Sequence, residues 1–99
     1  MDIDINESSD NVTIVVSGDI EMMTIKEFKT KLLDIGQNID KNIDIDLSNV
    51  DYIDSSGVGV LITLLKQQKK KGKTLKINKV SQKVLNILKL SSLSDIFDL

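Results

Sequence analysis

The segment Tyr52-Ile-Asp-Ser-Ser-Gly-Val-Gly-Val60 concentrates the residues best suited to chemistry in this 99-residue chain. Asp54 offers a carboxylate, Ser55 and Ser56 offer hydroxyls, and Gly57 and Gly59 offer backbone that another surface can approach closely. What those hydroxyls can do is bounded by what the chain lacks. It has no histidine and no cysteine, so a Ser-His-Asp triad, thiol chemistry, a cysteine metal site and a disulfide scaffold are excluded together. Nucleophilic catalysis would need a Ser-Lys pair, and no lysine lies near Ser55 in the sequence. Gly57-Val-Gly59 lacks the third glycine of a dinucleotide loop, and no Gly-Lys-Ser/Thr is present for a phosphate loop. Aspartate and serine are also favoured helix N-caps, so Asp54, Ser55 and Ser56 suit the start of a helix. The two readings are compatible. A serine at such a position sits at the C-terminal end of a strand, where α/β domains tend to place their sites.

Those residues need a scaffold, and the length supports one domain over residues 1–99. Apolar residues are 40% and charged residues 28%, a globular rather than a disordered mixture. The net charge of −2 is unevenly spread. Thirteen acidic residues face four lysines up to Val60, whereas nine lysines face two aspartates from Leu61 onward. Arginine and tryptophan are absent and aromatics are 3%, which argues against nucleic-acid binding. No apolar run approaches the roughly 20 residues of a membrane helix, and the N-terminus does not read as a signal peptide. A cytoplasmic location without membrane insertion is the expectation.

The hydrophobic pattern predicts the elements in turn. Ile3 and Ile5 alternate with polar residues as a half-buried strand, Ser8 to Asn11 is turn chemistry, and Val12 to Val16 is a β-branched run. Together they predict a hairpin. From about Thr24 the period turns helical, with Ile25, Phe28, Leu32 and Ile35 on one face and Gly36 and Asn38 as stop signals. Ile43 to Leu47 alternates strictly. A second helix is predicted from Gly57 to Lys71, with Val58, Leu61, Ile62 and Leu65 inward, widened by Val60 and Leu64. Its lysine-rich end complements the helix dipole, and Gly72 suits the C′ position. Leu75 and Ile77 mark a fourth strand. Ser81 can cap a third helix carrying Val84, Leu85 and Leu88, and Leu93 to Leu99 is a short helical turn or strand fragment. Strands separated by helices require parallel crossovers. Central strands buried on both faces would be continuously apolar, whereas Asp44, Asp46, Lys76 and Asn78 interrupt these. The expected fold is therefore a small mixed α/β sheet with helices mainly on one face.

Asp54-Ser-Ser-Gly-Val-Gly-Val60, preceded by Ile45-Asp-Leu-Ser-Asn-Val50, resembles the core of the STAS domain family, in particular its anti-sigma factor antagonists. Gly18-Asp-Ile-Glu21 is similar to the family's Gly-Glu/Asp-Leu/Ile-Asp segment, and the likeness covers nearly the whole chain. The resemblance implies partner switching. An antagonist binds an anti-sigma factor with serine kinase activity and so releases a sigma factor. Phosphorylation of the first serine after the motif aspartate disables it, and a metal-dependent serine phosphatase restores it. That serine is Ser55. The implied partner surface comprises Asp19, Glu21, Asp54, Ser55, Ser56, Gly57 and Gly59, with no catalytic residue, cofactor or metal. Glu21 stands where many members have Asp, and the chain ends at Leu99 without the longer C-terminal helix of some relatives.

Two rival readings accompany this one. Asp19, Asp51 and Asp54 offer a magnesium site like that of a phospho-aspartate receiver, although the opening hairpin and the few crossovers disfavour it. Alternatively, a STAS domain serves as a scaffold or regulatory subunit of a stress-signalling complex or a transport system. Ser56 is the competing phosphate acceptor, with helix capping as its structural role. Met22 and Met23 are read as core or exposed contact residues, with one of them assigned to contact, and the Lys66–Lys73 cluster as a solvated helix end.

Overall fold

A computed structural model describes residues 1–99. The elements are β1 (Asp2–Glu7), β2 (Asn11–Ser17), α1 (Ile25–Asn38), β3 (Asn42–Asn49), α2 (Ser55–Lys70), β4 (Leu75–Val80) and α3 (Gln82–Leu90), followed by a 3-10 turn at Ser94–Phe97. The four strands form one sheet in the order β1-β2-β3-β4. β1 pairs antiparallel with β2 through the predicted hairpin, and β2–β3 and β3–β4 are parallel. None of the helices is long and apolar enough to cross a membrane.

Alternation along the strands becomes a two-faced sheet. Val12, Ile14 and Val16 of β2, Ile43, Ile45 and Leu47 of β3, and Leu75 and Ile77 of β4 are all buried. Thr13, Val15, Asp44, Asp46 and Lys76, on the other face, stay partly or fully solvated. The helices close the apolar face with Phe28, Leu32 and Ile35, then Val58, Leu61 and Leu64, then Val84 and Leu88. Phe97 from the 3-10 turn joins the same core. The one-sided arrangement expected from the interrupted strands is the arrangement found.

Several local expectations need correction. Gly36 does not stop α1. The helix continues to Asn38, and Gly36 is buried within it, where a Cβ would strike Leu64 Cδ1 at 2.7 Å. It is a point of close approach between α1 and α2. α2 begins two residues earlier than predicted, at Ser55, because Asp54 caps it. Of its predicted inward residues Val58, Val60, Leu61 and Leu64 are buried, but Ile62 and Leu65 are only half-buried, and Gly57 and Gln68 join the buried stripe. Gln68 is fully buried, and its amide donates to the carbonyls of Lys41 and Thr74, which tethers the starts of β3 and β4. Periodicity could not reveal this, since a glutamine on an apolar stripe reads as solvent-facing. Ile5 is 43% exposed because β1 is an edge strand with little above it. Gly72, with φ of 69°, and Ser81, which accepts from Val84 N–H, occupy their expected capping places.

The least yielding of these contacts is at Gly57. A Cβ there would lie 2.5 Å from Ile20 Cγ2 and 2.7 Å from Ile53 Cγ1, both close to the branch points of stiff side chains. Gly57→Ala should therefore destabilise by up to about 2 kcal/mol, an overpacking cost of roughly 1–3 kcal/mol offset by about 1 kcal/mol of helix propensity. Gly36→Ala should cost less, because Leu64 Cδ1 and the Gln67 amide are ends of side chains that can swing aside. Urea denaturation of both variants measures the difference.

Candidate functional site

The site is built where two loops meet. After β2 the chain turns at Gly18, whose φ of 103° favours glycine, and runs through Asp19 to Ile20. Ile20 forms a single parallel bridge with Ile53. Its N–H donates to the Tyr52 carbonyl at 2.9 Å, and its own carbonyl accepts from Asp54 N–H at 3.0 Å. Both isoleucines are buried. The bridge therefore locks the Gly18–Glu21 loop beside the start of α2, joining the two segments singled out in the sequence.

Asp54 is the N-cap. Its Oδ1 accepts from Ser56 N–H at 2.9 Å and from Gly57 N–H at 3.2 Å, and the Ser56 hydroxyl donates to the same oxygen. Unpaired N–H groups at a helix start are satisfied by such a side chain. The Ser56 hydroxyl holds the Asp54 carboxyl below the usual carboxylate range. Burial works against this, and the N–H groups of Gly57, Ser56 and Met22 add to the lowering. Asp54 is thus an anion at neutral pH.

The two serines are not equivalent. Ser56 is held by its bond to Asp54, so it is a donor to the cap rather than the cap itself. Ser55 is the first residue of the helix and is exposed, and its hydroxyl has no hydrogen-bond partner in the chain. Beside it lies a groove of about 230 Å³ lined by Ile53, Val58, Ile62, Ile87 and Leu93. The sequence reading missed this groove, since it joins α2 to α3 across a sequence gap that no motif spans.

The other expected residues divide. Gly59 is exposed, and a Cβ added there would meet nothing within 4 Å, so it lies on open surface. Gly57 does not. It is buried against Ile20 and Ile53, so its role is interior packing and it presents no face to a partner. Asp19 is exposed, and its carbonyl accepts from the Thr24 hydroxyl. Glu21 is half-buried, and its carboxylate accepts from Met23 N–H at 3.1 Å, while its N–H donates to Thr24 Oγ1. Thr24 is a positioning residue the sequence reading passed over, although a threonine three residues after Glu21 at a helix start is a recognisable turn signal. Met22 and Met23 are both exposed, so both are on the surface rather than one. Asp19, Asp51 and Asp54 do not gather into a group able to hold a metal ion.

The lowered titration of Asp54 has a pH consequence. A carboxyl whose folded pKa lies below its unfolded value contributes stability above about pH 4 and loses it as pH falls through the folded value. Asp54→Asn should therefore lower the melting temperature at pH 7, and the gap to wild type should close as pH drops toward 3. Thermal melts across that range check this. A constant gap would mean that charge is not what matters at the cap.

A family model described as "Mlab, STAS domain" matches residues 3–98. The anti-sigma-B factor antagonist of Bacillus subtilis is 25% identical over 99 residues, covering 100% of this chain and 90% of that protein. A crystal structure of a candidate anti-sigma factor antagonist from Thermotoga maritima superposes with a TM-score of 0.82 at 25% identity, covering 95% of this chain and 81% of that one. The anti-sigma factor antagonist SpoIIAA in its unphosphorylated form gives 0.78 at 18% identity, covering 95% and 84%. The phosphorylated form of SpoIIAA, from Bacillus, gives 0.73 at 14% identity, covering 95% and 86%, and these two structures bear on the fold alone. With the family model spanning all but three residues of the chain, and with its four-stranded mixed sheet covered on one face, this protein belongs to the STAS domain family.

Proposed function

We propose that this protein is an anti-sigma factor antagonist switched by phosphorylation of Ser55. The observation that carries the reading is the difference between the two exposed serines: the Ser56 hydroxyl is bonded to Asp54, whereas the Ser55 hydroxyl is unpartnered at the start of α2. The relative from Bacillus subtilis bears the name of an antagonist of the anti-sigma-B factor, which supports the same role. Unmodified, the chain docks an anti-sigma factor through Ser55, Gly59, Asp19 and the neighbouring loop, and the sigma factor is released. The chain is the substrate in this scheme. The partner kinase transfers the γ-phosphoryl group of ATP to the Ser55 oxygen, takes up the hydroxyl proton and releases ADP. A metal-dependent phosphatase hydrolyses the ester and restores the hydroxyl.

Electrostatics explains why modification would disable docking without unfolding the chain. Phosphorylation adds about −1.5 to −2 charge units. A helix N-terminus favours phosphate, but this one already holds the ionised Asp54, with its first N–H groups occupied. In the free protein the added group stays in water at an exposed position. In a complex it would lose that water against a surface fitted to a neutral hydroxyl. A loss of roughly 3 kcal/mol lowers affinity about a hundredfold.

Purified anti-sigma factors of the kinase type from the source genome provide the test. Ser55→Asp should weaken binding about a hundredfold with an unchanged circular dichroism spectrum, and Ser55→Ala should bind like wild type but resist the kinase. Wild-type affinity in Ser55→Asp would refute the switch. Binding to none of these factors would favour the scaffold or transport-subunit reading. Gly59→Ala gives a second check. With open space around it, the methyl should stabilise α2 by about 0.5–1 kcal/mol through helix propensity and yet weaken docking if this face is covered in the complex. Calorimetry on the same variant reads both effects.

A further inference from the structure

The sulfur chemistry of this chain is confined to three methionines, because cysteine is absent. Met1 is half-buried against the core. Met22 and Met23 are 80% and 87% exposed, at adjacent positions in the turn that leads into α1. That turn is pinned. Met23 N–H donates to Glu21, the Thr24 hydroxyl bridges Asp19 and Glu21, and the Ile20 carbonyl accepts from Asp54 N–H. Two flexible, exposed thioethers therefore stand on a turn whose preceding residue, Ile20, is bridged to Ile53 at the approach to α2. Tyr52, 47% exposed and bonded through its carbonyl to Ile20 N–H, adds apolar surface to the same end of the molecule.

We infer that Met22 and Met23 form an oxidation site that controls docking at this surface independently of Ser55. The inference rests on the antagonist reading above. The co-reactant is a peroxide-class oxidant. The sulfur lone pair attacks one peroxide oxygen, an S–O bond forms as the O–O bond breaks, and water leaves after proton transfer. The sulfur loses two electrons and the peroxide gains them. Each sulfoxide is a polar, chiral group in place of an apolar contact, and methionine sulfoxide reductases reverse the change. Because neither side chain is packed inside the protein, oxidation leaves the core intact and acts on binding.

The test treats the folded 99-residue chain with hydrogen peroxide, maps the sulfoxides by peptide mass spectrometry, and measures melting temperature and affinity for the anti-sigma factor. Met22 and Met23 should oxidise ahead of Met1, the melting temperature should hold, and affinity should fall about tenfold, the effect of losing roughly one apolar anchor. Enzymatic reduction of the sulfoxides should restore it. Met22→Leu/Met23→Leu should bind normally and ignore peroxide, whereas Met22→Gln/Met23→Gln should bind weakly without treatment. Equal affinity before and after oxidation would overturn this inference alone. A loss of binding that tracks a lower melting temperature, or that persists after reduction, would also overturn it. Failure of the untreated chain to bind any anti-sigma factor would overturn the antagonist reading, and this inference with it.

Discussion

One carboxylate holds the functional end of this molecule together. Asp54 accepts from the N–H groups of Ser56 and Gly57 in the first turn of α2, engages the Ser56 hydroxyl, and donates its own N–H to the Ile20 carbonyl of the facing loop. Around it, the Ile20–Ile53 bridge and the bare Gly57 position allow loop and helix to meet without a gap. Take away that cap and the neighbouring hydroxyls lose their distinct environments. With it in place, both serines face solvent, but one hydroxyl is bonded to the cap and the other has no partner. The selectivity proposed for this surface thus comes from ordinary helix capping.

The same helix separates the charges of the chain in space. α2 has 16 residues, about 24 Å from end to end. Its start carries Asp54 and lies beside Asp19 and Glu21, while its last turn carries Lys69 and Lys70. Each charge type sits at the end where the helix dipole is favourable. The Lys71 ammonium is further tied to the Ile39 carbonyl at 2.6 Å, so part of the basic cluster serves the fold. The acidic end is left as the surface where a further negative charge is least welcome.

Much of this was legible in the sequence because short-range rules govern it. Strict alternation in Ile43–Leu47 placed one face of β3 inside and one outside, and with it the one-sided layer of helices. Ser81, Gly72 and the Ser8–Asn11 turn followed from local chemistry. What sequence reasoning could not reach depended on contacts between distant residues. Gly36 looked like a helix terminator, and only α2 packing against it reveals an interior role. Gly57 looked like a surface glycine for the same reason. Gln68 needed the carbonyls of Lys41 and Thr74 before its burial made sense. The groove between α2 and α3 has no signature in either helix alone. The motif at residues 54–60 was visible at once, but which of its two serines is free is decided by one hydrogen bond that only three-dimensional structure supplies.

The Ser55 hydroxyl is unpartnered whereas that of Ser56 is bonded to Asp54, and on this difference the proposed choice of Ser55 as phosphate acceptor depends. Site-resolved mass spectrometry of the chain after incubation with the proposed kinase-type anti-sigma factor and ATP reads this directly. The account predicts a single phosphoryl group, on the Ser55 oxygen. Phosphate on Ser56 in its place, or an active kinase that leaves both serines bare, would contradict it.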